Sequence, residues 1–184
     1  MVCFLGRNRE YGLGDAGERR GFTLVELLVV VSIISLLMGI LMPVLGKVRK
    51  NGRRTACLAQ LHNIGMAMRI YVSENNDTMP VAAQLPSTEP NLPCITDVLL
   101  PYLKVRKVMR CPADRDNYFE TEGTSYEYPH YLRGRRVDST FLGKHWGEAN
   151  TPVLFDFGPF HNKAGQPGAI NFLFGDGHVG DLGI

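Results

Sequence analysis

Residues 22–42 read FTLVELLVVVSIISLLMGILM, a run in which Glu26 is the only charge, and Pro43 follows at once. A helix needs about 20 predominantly apolar residues to cross a bilayer, so this run predicts a membrane span. It exceeds the roughly 7–15 apolar residues of a signal-peptide core, and no small-x-small cleavage site follows it. The alternative is the core helix of a soluble fold. Nothing else in the 184 residues could cover an apolar cylinder of this length on every side. Beyond Lys47 the chain is mixed and polar, with room for one modest domain plus an appendage. Twenty Lys and Arg against eighteen Asp and Glu leave a net charge of +2, which argues against a dedicated nucleic-acid binder. A hydrophobic content of 45% argues against wholesale disorder.

Glu26 is the anomaly of the run. A carboxylate at the centre of a span costs about 2.5–3.5 kcal/mol on insertion scales, and less near the interface, where Glu26 lies. It reads either as a tolerated interfacial charge or as an acid kept to meet a specific cation.

The surrounding residues, Arg19-Arg20-Gly21-Phe22-Thr23-Leu24-Val25-Glu26, resemble the processing site of type IV prepilins and type II secretion pseudopilins. The resemblance covers roughly residues 19–72. It implies cleavage by a prepilin peptidase between Gly21 and Phe22 and N-methylation of Phe22. Glu26 would be the assembly residue, pairing with the Phe22 amine of a neighbour. A buried ion pair of this kind sets register better than it adds stability. The partners so implied are the peptidase, other pilin or pseudopilin subunits, an inner-membrane assembly platform and membrane lipid, with no nucleic acid. The implied location is a single pass of the inner membrane, with the C-terminal domain periplasmic or extracellular.

Charge bias points the other way. Arg7, Arg9, Arg19 and Arg20 precede the span, and Lys47, Arg49, Lys50, Arg53 and Arg54 follow it. A positive-inside count slightly favours a cytoplasmic C-terminal side, whereas processing requires the Gly21–Phe22 junction there. The second cluster is then read as meeting lipid head groups or neighbouring subunits, or as a solvated helix face.

Leu58, Leu61, Ile64, Met68 and Val72 recur at spacings of three and four, an amphipathic stripe on which an outer domain packs. Together with the span they predict one long helix, residues 22–72, of about 75 Å with a kink near Pro43. The domains expected are a leader at 1–21, a transmembrane helix at 22–45, a stem at 46–72 and a globular domain at 73–184. Residues 73–77 read as a polar loop, and 96–104 as a short helix with Thr96 as N-cap. Short strands are expected at 125–131, 152–157 and 169–174. The Gly175-Asp176-Gly177-His178 turn should lead into a last strand. The fold class is α+β: a long N-terminal helix on a small antiparallel sheet.

A second resemblance rests on Cys57, Tyr71, Cys111-Pro112-Ala113-Asp114, Ser125-Tyr126 and the terminal FLFGDGHV. These look like one large group of prepilin-type proteins, whose signature is a His followed nine residues later by Asp-Gly. Here fourteen residues lie between His161 and Asp176, so the signature assigns it no role.

Of four cysteines, Cys3 lies in the leader. Cys57, Cys94 and Cys111 remain, giving one disulfide and one thiol in an oxidising compartment, or three thiols. A Cys94–Cys111 bridge would close a loop of about 17 residues and stabilise by roughly 3 kcal/mol. Cys57–Cys111 is the rival, being the pair shared with the relatives. Without a CxxC pair, zinc is not expected. Asp156 and Asp176 could approach each other across paired strands and hold calcium with turn carbonyls. The alternative is that Asp176 caps its own turn and His178 is a surface residue. A membrane-anchored hydrolase using His and Asp would be an enzyme reading. No Gly-rich phosphate loop, HExxH or Gly-x-Ser-x-Gly supports it, so no catalytic residue is assigned. Two readings remain: a structural pilin or pseudopilin subunit, and an extracytoplasmic binding module that uses the prepilin export route.

Overall fold

The computed structural model describes residues 22–182, so the leader, the Gly21 side of the cleavage junction and Cys3 lie outside the described residues. The chain divides into two compact units, one up to Pro43 and one from Val44 onward.

The described part of the first unit is the apolar beginning of helix α1, Leu24–Glu74. Every residue from 22 to 43 is exposed to the surroundings, including Leu27, Val30, Ile33 and Leu37. Such a cylinder is stable only when lipid or other helices cover it, and it is long and apolar enough to cross a membrane. The Ser32 hydroxyl donates to the Val29 carbonyl at 2.7 Å, so this polar side chain is satisfied within the helix.

In the second unit, α1 turns Cys57, Leu61, Ile64, Ala67 and Met68 inward, with Leu58 and Val72 half-buried at the edges of the stripe. The helix stops where Asn76 and Asp77 take positive φ of 54° and 57°, conformations Asn and Asp tolerate better than most residues. Helix α2, Ile95–Leu103, forms where a short helix was expected, but Cys94 is its N-cap residue. Thr96 lies inside the first turn, and its hydroxyl donates to the Gly123 carbonyl at 2.7 Å. Two further helices had no strong sequence signal: α3, Tyr118–Glu122, and α4, Phe141–Trp146. Each is little more than a turn, too short to show an amphipathic period. The Thr140 hydroxyl caps α4 by accepting from the Gly143 amide at 3.1 Å.

The sheet has four antiparallel strands in the order β1-β2-β3-β4: Tyr126–Glu127, Pro152–Asp156, Phe172–Phe174 and Val179–Gly180. β1 is shorter than the run at 125–131 suggested, because Pro129 has no amide to donate and leads into a 3-10 turn at His130–Leu132. β3 begins at Phe172 rather than 169. The Ala169 carbonyl is instead taken by the His161 amide at 3.2 Å. The Gly-Asp-Gly-His turn forms the β3–β4 hairpin, with Gly177 at φ 90° and the Phe174 amide donating to the His178 carbonyl at 3.0 Å. Stem and sheet share one core in which Leu61, Ile64, Tyr126, Leu154 and Leu173 are fully buried.

Candidate functional site

Two places concentrate polar chemistry. The first is the start of α1. Thr23 is its N-cap residue and Glu26 its third helical residue. The Glu26 amide donates to the Thr23 hydroxyl oxygen at 3.2 Å, and the Glu26 carboxylate accepts from the Thr23 amide at 2.9 Å and from its hydroxyl at 2.8 Å. This is a capping box, and its Thr-x-x-Glu spelling is legible in the sequence. Phe22 and Glu26 are both exposed, so both are open to a neighbour. On the C-terminal flank, Lys50 donates to the Asn162 side chain at 3.2 Å, and Arg54 bonds Asn171 at 3.4 Å and Asp181 at 3.2 Å. These two cations of the basic cluster therefore serve the outer domain's own fold.

The second place is a buried cluster of Cys57, Cys111, Asp156 and His161, whose ligand-capable atoms all lie within 4.8 Å of one another. Four segments deliver them. Cys57 occupies the core stripe of α1, one turn before Leu61. Cys111 follows a 3-10 turn at Arg106–Met109, on a loop held by Asp114. That carboxylate accepts from the Tyr118 amide at 3.2 Å, the Phe119 amide at 3.0 Å and the Ser125 hydroxyl at 2.7 Å, tying the loop to α3 and to the residue before β1. Asp156 ends β2, and His161 lies in the connection to β3.

Cys57 Sγ donates to Asp156 Oδ1 at 3.3 Å, Cys111 Sγ meets His161 Nε2 at 3.4 Å, and His161 Nε2 stands 3.4 Å from Asp156 Oδ2. The side chains of Asp156 and His161 are fully buried, as are both thiols. Three further polar groups contact the cluster. The Tyr126 hydroxyl lies 3.3 Å from Cys57 Sγ, the Ala113 amide donates to Cys111 Sγ at 3.4 Å, and the Asn171 amide donates to Asp156 Oδ2 at 2.8 Å. His161 Nδ1 and Asn171 Nδ2 are buried without a hydrogen-bond partner. The Cys57 thiol facing Cys111 draws the Cys111 thiol down and is itself driven up, with burial opposing the first shift and reinforcing the second. Burial disfavours a charged His161, but Asp156 and Cys111 outweigh it and lift the imidazole to about 9.

The structure bears on two sequence expectations. Of the cysteine alternatives it has the three free thiols, Cys57, Cys94 and Cys111, rather than a Cys94–Cys111 or Cys57–Cys111 bridge. Cys94 is not among the cluster residues and donates to the Glu122 carbonyl at 3.4 Å, while Cys111 Sγ meets His161. The Asp156–Asp176 pair is also not assembled. In the β2–β3 register Phe155 faces Phe172 and Pro152 faces Phe174, so Asp156 lies past one end of the ladder and Asp176 past the other. Three residues of strand, roughly 10 Å, separate those ends. Asp176 instead accepts from the His178 amide at 3.0 Å and pairs with its imidazole at 2.6 Å, capping its own turn. The buried cluster was missed because its pairs are far apart in sequence: 99 residues between Cys57 and Asp156, and 50 between Cys111 and His161. Cys57 on an apolar stripe and the Cys-Pro-Ala-Asp loop were the only local signals.

Residues 18–42 match the family model described as the prokaryotic N-terminal methylation motif, consistent with a prepilin-type pilin or pseudopilin. Comparison with curated proteins and with solved structures returned no match. The matched segment contains Gly21, Phe22, Thr23 and Glu26 and ends before the stem, the buried cluster and the Gly-Asp-Gly-His turn.

Proposed function

We propose that the chain is a structural subunit of a type IV pilus-like or type II secretion filament, made as a precursor and cut after Gly21. The observation that carries this is that the methylation motif at 18–42 coincides with the apolar beginning of α1, where every residue from 22 to 43 is exposed. That cylinder first sits in the membrane as a single pass and then packs against its counterparts in the filament. Lateral packing of apolar helices supplies the area, and Glu26 meeting the Phe22 ammonium of a neighbour supplies register. The prepilin peptidase, other pilin subunits and an inner-membrane assembly platform are the partners of this reading. Peptidase access puts the Gly21 side in the cytoplasm, which overrides the slight charge bias and leaves the outer domain on the far side. The chain carries no reaction of its own in this proposal.

The test is the N-terminus of protein taken from cell envelopes. Mass spectrometry should find a chain beginning with N-methylated Phe22. Gly21 has no side chain, which lets a protease approach the backbone closely, so Gly21→Leu should accumulate as the uncut precursor. Wild-type protein extracted with its leader intact would end this reading.

A further inference from the structure

We propose that Cys57, Cys111, Asp156 and His161 form a closed, tetrahedral zinc site that fastens the outer domain to its stem helix. The donor set comes first. Two thiols and an imidazole are the ligands zinc prefers, and a carboxylate completes the four. Calcium and magnesium need more oxygens than one carboxylate supplies.

The geometry agrees with the chemistry. Zinc–sulfur bonds of about 2.3 Å and zinc–nitrogen or –oxygen bonds of about 2.0–2.2 Å place tetrahedral vertices roughly 3.3–3.8 Å apart. Two edges have this length directly, 3.3 Å from Cys57 Sγ to Asp156 Oδ1 and 3.4 Å from Cys111 Sγ to His161 Nε2, while His161 Nε2 stands 3.4 Å from the other carboxylate oxygen, Asp156 Oδ2. All remaining edges lie within 4.8 Å. Small side-chain shifts centre an ion among these atoms without moving an element of the fold.

The surroundings match what a metal needs. Two anionic ligands have an outer donor, the Ala113 amide for Cys111 and the Asn171 amide for Asp156, and the Tyr126 hydroxyl, which donates to Gln60 Oε1 at 3.2 Å, stands 3.3 Å from Cys57 Sγ. Such outer contacts orient ligands and strengthen metal sites. Two thiolates and one carboxylate leave a single negative charge around the dication. The Arg54 guanidinium, bonded to the Asn171 side chain at 3.4 Å, stands one layer further out. Binding displaces to solvent the protons held by the two thiols and by the His161 imidazole, since all ligands bind deprotonated, and changes no oxidation state. All four ligands are sealed from water, so no position is open for a substrate, and the site is structural rather than catalytic. Its four segments are the stem, the Cys111 loop, the end of β2 and the β2–β3 connection.

The experiment uses the full chain purified in detergent without chelator. Elemental analysis should give one zinc per chain. Exchange into cobalt should give the visible bands of a tetrahedral ion with thiolate charge transfer in the near ultraviolet. Cys111→Ser and His161→Gln should each weaken cobalt binding by more than about tenfold, while Cys94→Ser, away from the cluster, should bind as wild type. Where a variant does not fold, titration of the chelator-stripped wild type decides alone. Isolated protein two hydrogens lighter, with Cys57 and Cys111 cross-linked, would overturn the proposal. So would a wild type with reduced thiols that takes up neither zinc nor cobalt.

Discussion

Thr23 and Glu26 hold each other at the start of α1: the Glu26 amide donates to the Thr23 hydroxyl, and the Glu26 carboxylate accepts from the Thr23 amide and hydroxyl. The acid that the resemblance reserves for a neighbouring subunit therefore already has work within its own helix. The two roles separate by substitution. Gln at position 26 keeps an acceptor for Thr23 and drops the charge, whereas Val loses both. Glu26→Gln and Glu26→Val should both insert, be cleaved, and then fall several-fold in filament recovered by shearing. Thr23→Val should cost the helix start about 0.5–2 kcal/mol while leaving the charge in place. If Glu26→Gln assembled like wild type and Thr23→Val did not, the cap would be the functional element and the intersubunit pair would be wrong.

Gly52 and Gly65 lie on the same helix, yet they should respond oppositely to alanine. A Cβ at Gly52 meets nothing within 4 Å, so Gly52→Ala should gain close to the ~1 kcal/mol difference in helix propensity. A Cβ at Gly65 would stand 2.7 Å from Leu173 Cδ1, which is fully buried between stem and sheet. Overpacking there costs about 1–3 kcal/mol and cancels or exceeds the helical gain. Thermal melts should place the two variants on opposite sides of wild type, or nearly so. Equal upward shifts would mean that the sheet does not press on the stem at Gly65.

The elements that could be read from sequence are those with a long period or a local cue. The span, the stem stripe, β2 and the Gly-Asp-Gly-His hairpin each depend on neighbours within a few residues. What could not be read depends on partners far along the chain. Thr96 looked like a cap because nothing local shows the Gly123 carbonyl that claims its hydroxyl. Asp156 was paired with Asp176 because alternation gives strands but not the register that sends the two to opposite ends. Cys57 and His161 meet only because the stem lies beneath the β2–β3 connection, which no spacing rule encodes.

Asp176 predicts a pH dependence. Burial works against its charge, but the His178 amide and imidazole outweigh that and hold the carboxyl below the usual range. A depressed carboxyl contributes stability that is fully present above its unfolded value, near 3.9, and is lost as the pH falls through the lower folded value. The side chain is 41% exposed, so the contribution is under about 1 kcal/mol. Asp176→Asn should lower the melting temperature slightly at pH 7 and converge with wild type in strong acid. A gap that widened below pH 4 would contradict the assignment.

Asp114 is the residue whose loss should reach the buried cluster without touching it. Its carboxylate receives the Tyr118 and Phe119 amides and the hydroxyl of fully buried Ser125, and it sits three residues after Cys111. Asp114→Ala strands these donors, at a cost of about 1–3 kcal/mol in folding stability. Asp114→Asn keeps one acceptor oxygen and should fall between the alanine variant and wild type. The Cys111 loop is also fixed by the Ala113 amide on Cys111 Sγ, so freeing Asp114 should let that sulfur open to solvent more often. Thiol labelling followed by peptide mapping reads this directly. Cys111 should label faster in Asp114→Ala than in wild type under native conditions. A melt and a Cys111 labelling rate both unchanged by Asp114→Ala would show that the Cys-Pro-Ala-Asp loop is held by something other than this carboxylate.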